Sequence, residues 1–145
     1  MHALGTHLLV ELRDSNPETL KDLDKVKDIL VSAAKRAKAT VVEVAFHEFN
    51  PFGISGMVII AESHLSIHTW PEYGYAAVDI LTCGDLIKPE VAANYLVEQF
   101  ESKTPQIFEM KRGILSYDDN RKFPHKIENG EAENYAAAEE LQVVP

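Results

Sequence analysis

The sequence predicts an α+β protein, a two-layer α/β sandwich in which two helices lie on one face of a mostly antiparallel sheet. Three observations predict this fold. Six segments have the apolar alternation or the short apolar runs of strands, two longer segments have helical periodicity, and four of the strands are consecutive. Consecutive strands joined by short turns favour antiparallel pairing, with the helices gathered on one side. The predicted order is β-α-β-β-β-β-α-β.

The first half of the chain is predicted to contain a strand, a helix and a second strand. Residues 4–12 form the first strand. The helix starts in Asp14–Glu18, because a polar cap, a proline in the first turn and an acidic residue are typical of helix N-termini. It extends to about Lys38, and residues 40–49 form the next strand. Apolar side chains three or four positions apart give the helix its buried face: Leu20, Leu23, Val26, Leu30, Ala33 and Ala37.

The second half is predicted to contain three strands, a helix and a final strand. The strands cover residues 56–61, 63–69 and 75–82, separated by turns. The second helix covers residues 89–102 and the last strand residues 106–110. Three residues of this helix are predicted to face the core: Val91, Tyr95 and Phe100.

Length, charge and cysteine content limit the classes of function. The 145 residues suit one domain, predicted at residues 1–117, followed by a polar acidic tail at 118–145. A net charge of −9 argues against nucleic acid or an anionic membrane as partner. With one cysteine, Cys83, and no leader or spanning pattern, we expect a cytoplasmic protein. The sequence has no pattern typical of a metal site.

Helices on one side leave the second face of the predicted sheet uncovered. In the strand at 40–49 we expect Val42, Val44 and Phe46 on one face, and the other face carries further apolar side chains, Val41, Ala45 and Phe49 among them. Such a face needs a cover, and a second copy of the chain supplies one most simply. The sequence therefore predicts a homodimer.

The segment 61–75 places polar chemistry between two apolar strands. It contains two histidines, two serines, carboxylates and aromatic rings, flanked by the apolar runs 57–61 and 76–81. Polar groups are costly to bury unless they are hydrogen-bonded or used. A rigidly held Ser63 hydroxyl could attack the carbonyl of Glu62, turning the amide into an ester. Elimination and hydrolysis would then leave a pyruvoyl group, an electrophile able to form a Schiff base with an amine.

The stretch Glu62–Tyr75, ESHLSIHTWPEYGY, resembles the signature of the prokaryotic S-adenosylmethionine decarboxylase proenzymes, which are pyruvoyl-dependent. Shorter similar segments flank it, including HLLVEL at 7–12, GISG at 53–56 and TCGD at 82–85. The resemblance covers about residues 3–115. It implies a self-processing enzyme that decarboxylates S-adenosylmethionine and so supplies the aminopropyl donor for spermidine biosynthesis.

The resemblance also implies roles for individual residues. Cleavage would occur between Glu62 and Ser63, and Ser63 would become the pyruvoyl group. Ser55 and His68 match positions that assist this processing, His68 as the acid and base. Cys83 matches the acid that protonates the substrate carbon after carbon dioxide leaves.

Further matching residues suggest the substrate pocket. Phe49 and His68 match positions that flank the adenine ring, and stacking on an aromatic ring stabilises a base. Glu72 matches the residue that binds the ribose hydroxyls. Trp70 lies between them, either as a pocket wall or in an interface.

Two other functions remain open from the sequence. The same scaffold could decarboxylate arginine or ornithine, although Phe49, His68 and Glu72 favour a nucleoside substrate. The chain could also be an unprocessed binding or regulatory protein that retains the fold. An uncleaved chain without decarboxylase activity would indicate the latter.

Overall fold

The computed structural model describes residues 2–115 as six strands, three α-helices and a 3-10 helix. In chain order these are β1 His2–Leu12, α1 Pro17–Leu20, α2 Leu23–Arg36, β2 Thr40–Glu48, β3 Ile54–Ala61, β4 Ser63–Trp70, the 3-10 helix Pro71–Tyr73, β5 Tyr75–Cys83, α3 Pro89–Gln99 and β6 Gln106–Leu115. All neighbouring strands pair antiparallel, in the order β2-β3-β4-β5-β1-β6. The predicted α+β fold is confirmed. The predicted tail at 118–145 lies outside the described residues.

The first predicted helix is two helices, so the described part of the chain has three α-helices and the predicted number was wrong. Asn16 caps α1, and its side chain accepts a hydrogen bond from the Glu18 amide. Asp22 caps α2 in the same way through the Lys25 amide. An aspartate whose side chain accepts a hydrogen bond from the amide three residues later is typical of a helix N-cap. A second helix therefore begins after Asp22, and the predicted single helix is interrupted at Lys21 and Asp22.

Helices α2 and α3 cover one face of the sheet and enclose the core. Leu30 of α2 and Phe100 after α3 are fully buried against strand residues such as Ile80. Ala92 and Leu96 face the core together with Phe100, each four positions from the next. This spacing places Val91 on the exposed side of α3, so its predicted core position was wrong. Among residues 2–115 no helix is long and apolar enough to cross a membrane.

A β-bulge corrects the predicted faces of β2. The pairing of β2 with β3 shifts between Val41 and Glu43. The extra residue reverses the alternation at that point. Val41 therefore packs against the core together with Val44 and Phe46, whereas Val42 is exposed. The prediction for Val44 and Phe46 was right, and the predictions for Val41 and Val42 were wrong.

No part of the described residues 2–115 covers the second face of the sheet, and we call it the open face. The strand pairing places several large apolar side chains on it, and these remain 38–54% exposed: Leu9, Met57, Ile59, Phe108 and Met110. Several large apolar side chains exposed on one face of a sheet are typical of an interaction surface.

Candidate active site

Ser63 lies at the tip of the β3–β4 hairpin. Ile60 pairs with Ser63, so Ala61 and Glu62 form the turn between the two strands. The backbone of Ser63 has φ 110°, in the left-handed region that favours glycine. A serine held there is strained, and such residues concentrate at functional sites. The predicted cleavage bond, Glu62–Ser63, therefore leads into a strained residue.

Cys83 is a neighbour of this hairpin tip. Ser63 pairs with Thr82 of β5, the residue that precedes Cys83. On its other side Cys83 pairs with Gly5, whose missing side chain leaves the flank of the thiol open. Burial, and then the charge of Glu62, raise the pKa of the Cys83 thiol. We call Glu62, Ser63, Thr82 and Cys83 the cleavage end of β4.

The opposite end of β4 brings Ser55 and His68 together. They pair across β3 and β4, and Ser55 Oγ lies 2.7 Å from His68 Nδ1, within hydrogen-bond distance. The buried Thr69 hydroxyl donates to the Leu20 carbonyl at 2.9 Å and accepts from the Ile54 amide at 3.0 Å. These bonds fix the strand end to α1 and β3, so the side chain of His68 projects from a rigid support.

A cleft of about 260 Å³ opens beside His68. Phe49, Trp70 and Glu72 line it. Phe49 is held by a loop in which its amide donates to the Gly53 carbonyl at 2.8 Å. Phe49 is 48% exposed and Trp70 40% exposed, so both aromatic walls face solvent. Clefts that enclose a drug-sized ligand usually measure about 300–1,000 Å³, so this cleft is slightly smaller than such a site.

Glu72 reaches this cleft from the 3-10 helix that follows β4. Gly74 ends that helix with φ 58°, and a side chain there would lie 3.2 Å from the Ser15 carbonyl oxygen. The Ser15 amide in turn donates to the Gly74 carbonyl at 2.9 Å. This close backbone contact sets the direction in which the chain leaves β4. We call Phe49, Ser55, His68, Trp70 and Glu72 the aromatic end.

A second cleft, of about 370 Å³, lies on the other side of the Ser55–His68 pair. Ala45, Met57 and Ser66 line it. Both clefts therefore share the serine and the histidine, which form the wall between them.

The two ends of β4 are too far apart to act together within one chain. Ser63 and His68 are five residues apart, and a strand rises about 3.3–3.4 Å per residue, so their backbones are about 17 Å apart. Proton transfer between side chains needs about 3 Å or one bridging water. The structure places Ser63 beside Cys83, and Ser55 beside His68, but it does not place these two groups beside each other.

A polar network lies between the two ends on the open face, and the sequence did not predict it. Arg112 donates to His7 Nδ1 at 3.0 Å, and His7 Nε2 lies 2.9 Å from Asp79 Oδ1. Ser66 donates to Asp79 Oδ2 at 3.3 Å. A guanidinium can only donate, so His7 Nδ1 accepts and Nε2–H donates to Asp79, which fixes one neutral tautomer. The network links four strands, β6, β1, β5 and β4.

Tyr75 packs against Trp70 at the aromatic end. Their rings stack with centroids 5.3 Å apart and an interplanar angle of 23°. Burial, then a hydrogen bond to Glu11 and the charge of that carboxylate, raise the pKa of Tyr75 to about 12. The neutral phenol holds the Trp70 ring, which also forms a wall of the cleft.

The chain is similar to proteins of one enzyme family. The family model described as S-adenosylmethionine decarboxylase matches residues 6–113. A Thermodesulfovibrio yellowstonii protein named S-adenosylmethionine decarboxylase proenzyme is 65% identical over 144 residues, covering 99% of each chain. A protein of the same name from Acidithiobacillus ferrooxidans is 53% identical over 78% of this chain and 85% of its own. The crystal structure of the adenosylmethionine decarboxylase from Aquifex aeolicus superposes with TM-score 0.77 at 35% identity, covering 83% of this chain and all of that one.

Proposed function

The chain belongs to the S-adenosylmethionine decarboxylase family, and we propose from this that it is a carboxy-lyase that cleaves itself and then decarboxylates S-adenosylmethionine. The product would serve as the aminopropyl donor for spermidine biosynthesis. The observation that carries the proposal is the strained Ser63 at the hairpin tip, one register step from Cys83. The names of the relatives do not favour arginine or ornithine as substrate.

The proposed self-cleavage uses the Ser63 hydroxyl. Its oxygen attacks the carbonyl carbon of Glu62, so that the peptide bond becomes an ester that can be eliminated. Elimination would free the main-chain carboxylate of Glu62 and leave dehydroalanine at position 63, and its hydrolysis by water would release ammonia. The products would be residues 1–62 and residues 63–145, the second with a pyruvoyl group at its new amino end. The strained backbone of Ser63 fits this chemistry because forming the ester releases the constraint.

The pyruvoyl group fits the cleavage end because Ser63 lies at the hairpin tip and pairs with the residue that precedes Cys83. When present it supplies an electrophilic carbonyl that binds the substrate amine and takes up electrons as the carboxylate leaves. The protein's own part is then to return a proton to the substrate carbon. A raised pKa keeps the Cys83 thiol protonated at neutral pH, so it is suited to donate that proton.

We propose that two copies of the chain form the complete site. One copy carries the proton donor and the electrophile at one end of β4, and the aromatic cleft at the other. A two-fold axis through the open face would bring the same surface of both copies together, each end against the partner's opposite end. Ser63 and Cys83 of one copy would then meet the partner's His68. The exposed apolar side chains of the open face support this arrangement.

The aromatic end would bind the nucleoside part of the substrate. Phe49 and His68 present flat rings on both sides of a purine, and stacking contributes about 1–3 kcal/mol per base. The Glu72 carboxylate would accept hydrogen bonds from both ribose hydroxyls. His68, hydrogen-bonded to Ser55, would also move the proton in self-cleavage. With one cysteine and a negative charge, we expect a cytoplasmic enzyme without nucleic-acid or membrane partners.

A cleavage and decarboxylation assay tests the proposal. The purified chain should separate on a denaturing gel into residues 1–62 and 63–145, with the larger fragment blocked at its amino end. It should release labelled carbon dioxide from S-adenosylmethionine and not from arginine or ornithine. Ser63→Ala should give one intact band and no carbon dioxide, whereas the control Ser32→Ala, on α2, should behave like the parent. A parent chain that stays intact and inactive would instead indicate a binding protein.

A further inference from the structure

Tyr75 is an aromatic side chain of the open face that has no part in the proposed chemistry. It pairs with Trp70 where β4 and β5 meet at the aromatic end. The two rings stack with centroids 5.3 Å apart and an interplanar angle of 23°. Stacking of this kind stabilises a pair of rings beyond the area that they bury. Because Trp70 lines the cleft beside His68, Tyr75 supports one wall of that cleft.

Trp70 has few other contacts that could hold its ring. It is the last residue of β4, and its side chain is 40% exposed. The ring of His68 lies on the same strand, but with centroids 6.4 Å apart and an interplanar angle of 47° the contact is looser. A ligand that needs one orientation of a mobile side chain binds more weakly, because the side chain must be ordered on binding. The stack on Tyr75 therefore orders this wall before a ligand arrives.

Tyr75 is itself fixed to the neighbouring strand β1. Along β5 the side chains of Tyr75 and Ala77 lie on the open face, and they alternate with the buried Ala76 and Val78. Glu11 pairs with Ala77, so Glu11 and Tyr75 are diagonal neighbours on this face, within reach of long side chains. Burial, and then a hydrogen bond to Glu11, raise the pKa of Tyr75 to about 12. The phenol therefore stays neutral and keeps this hydrogen bond at neutral pH.

We propose that Tyr75 is a positioning residue of the aromatic end, which fixes the Trp70 ring in the orientation that the nucleoside part of the substrate needs. The inference rests on the proposed function, in which the aromatic end binds that part. Tyr75 acts through Trp70 and takes no part in cleavage or decarboxylation. Loss of its ring should therefore raise KM and leave kcat and self-cleavage nearly unchanged.

The fluorescence of Trp70 tests the inference without any need for enzyme activity. Trp70 is the only tryptophan of the chain, so its fluorescence anisotropy reports the motion of this ring alone. The comparison uses the parent, Tyr75→Leu, which removes the ring, and Tyr75→Phe, which keeps it. Without ligand, Tyr75→Leu should show an added fast decay of anisotropy, because the Trp70 ring can turn. Tyr75→Phe should resemble the parent.

Binding of adenosine supplies the second readout. Adenosine has the purine and the ribose hydroxyls but no amino-acid part, and it should quench Trp70 when it enters the cleft. Tyr75→Leu should weaken its binding about two- to tenfold, the range expected for loss of one aromatic pair, and Tyr75→Phe should restore it. KM for S-adenosylmethionine should rise by the same factor, with kcat within about twofold. Tyr75→Met provides the same loss of the ring if the leucine variant does not fold.

Tyr95→Leu is the matched control. The Tyr95 ring lies on α3, on the helical side of the sheet, and the Arg36 Cζ atom is 4.4 Å from its centroid. The exchange therefore removes a packed tyrosine ring far from the cleft. Trp70 anisotropy, adenosine binding and KM should all keep their parent values.

Parent-like adenosine binding in Tyr75→Leu would overturn the inference. A joint loss of cleavage, kcat and dimer mass would overturn it too, because Tyr75 would then act in the interface between copies. If the parent is cleaved and active in either case, the inference fails alone and the proposed function stands. If the parent binds adenosine in a Tyr75-dependent way but is neither cleaved nor active, the inference stands and the proposed reaction fails. A parent that neither binds adenosine nor releases carbon dioxide would contradict both.

Discussion

The two ends of β4 differ in how tightly their side chains are held. At the cleavage end Ser63 has a strained backbone and the Glu62 carboxylate has a buried oxygen with no partner among the described residues. At the aromatic end His68 is hydrogen-bonded to Ser55, and Thr69 ties the strand to α1. Strain and unpaired groups suit a place where a bond must break, and fixed rings suit a place that must hold a ligand. Reactivity and binding are therefore built separately, about 17 Å apart along one strand.

The largest expected effect comes from separating the two copies. Leu9 of β1 is partly exposed on the open face, and Leu9→Asp would place a charge in the proposed interface. We expect a monomer by light scattering, with cleavage abolished and carbon dioxide release lowered about 10³-fold or more, because neither end retains its counterpart.

Val91→Asp is the control for this prediction. It places the same charge at an exposed apolar position of α3, on the opposite side of the molecule, and it should leave mass and activity unchanged. A Leu9→Asp monomer with full activity would contradict the two-copy site and would mean that one chain is sufficient.

A smaller effect, confined to the cleavage end, is expected from Cys83→Ala. The fragments 1–62 and 63–145 should still form, because Ser63 and the partner's His68 are intact. Carbon dioxide release should fall about 10²-fold, the lower range for loss of a general acid. Gel analysis and the carbon dioxide assay on the same sample separate the two steps. Unchanged turnover would show that another group donates the proton.

The smallest effect belongs to the aromatic end. Glu72→Gln keeps the shape of the side chain but weakens its hydrogen bonds to the ribose hydroxyls. We expect KM for S-adenosylmethionine to rise about five- to tenfold with kcat within twofold, in keeping with loss of one charged hydrogen bond. Glu90→Gln, exposed on α3, should change neither constant. A fall in kcat with constant KM would instead place Glu72 in the chemical step.

The local sequence pattern predicted much of the fold, but it did not predict the features that depend on strand register. Alternation and turn residues located the strands, because each depends on neighbours in sequence. The start of α2 at Asp22 was missed because the apolar spacing continues through the break. The bulge at Val42 was missed because it depends on how β2 pairs with β3.

The candidate site shows the same division. The sequence pointed to Ser63, His68 and Cys83 as single residues, from their types and from resemblance. That Ser63 pairs with the neighbour of Cys83, and that His7 meets Asp79, follows from strand pairing between residues far apart in the chain. The two ends are about 17 Å apart because β4 is extended. This separation is not evident from the sequence, in which Ser63 and His68 are only five positions apart.

Mixed variants test the two-copy site most directly. Ser63→Ala is defective at the cleavage end and His68→Ala at the aromatic end, and neither should be cleaved or active alone. When the two variants are coexpressed, they should form mixed dimers. In each mixed dimer one site combines an intact Ser63 with the partner's His68, which is also intact. Random pairing of the copies predicts about a quarter of the parent's activity, together with cleavage of the His68→Ala chain.

The pair Ser63→Ala and Cys83→Ala serves as control, because both changes lie at the same end and no mixed dimer contains a complete site. Restored activity is expected in the first pair, and no more than the residual activity of Cys83→Ala in the second. Absence of activity in both pairs, with mixed dimers demonstrated by mass, would contradict it.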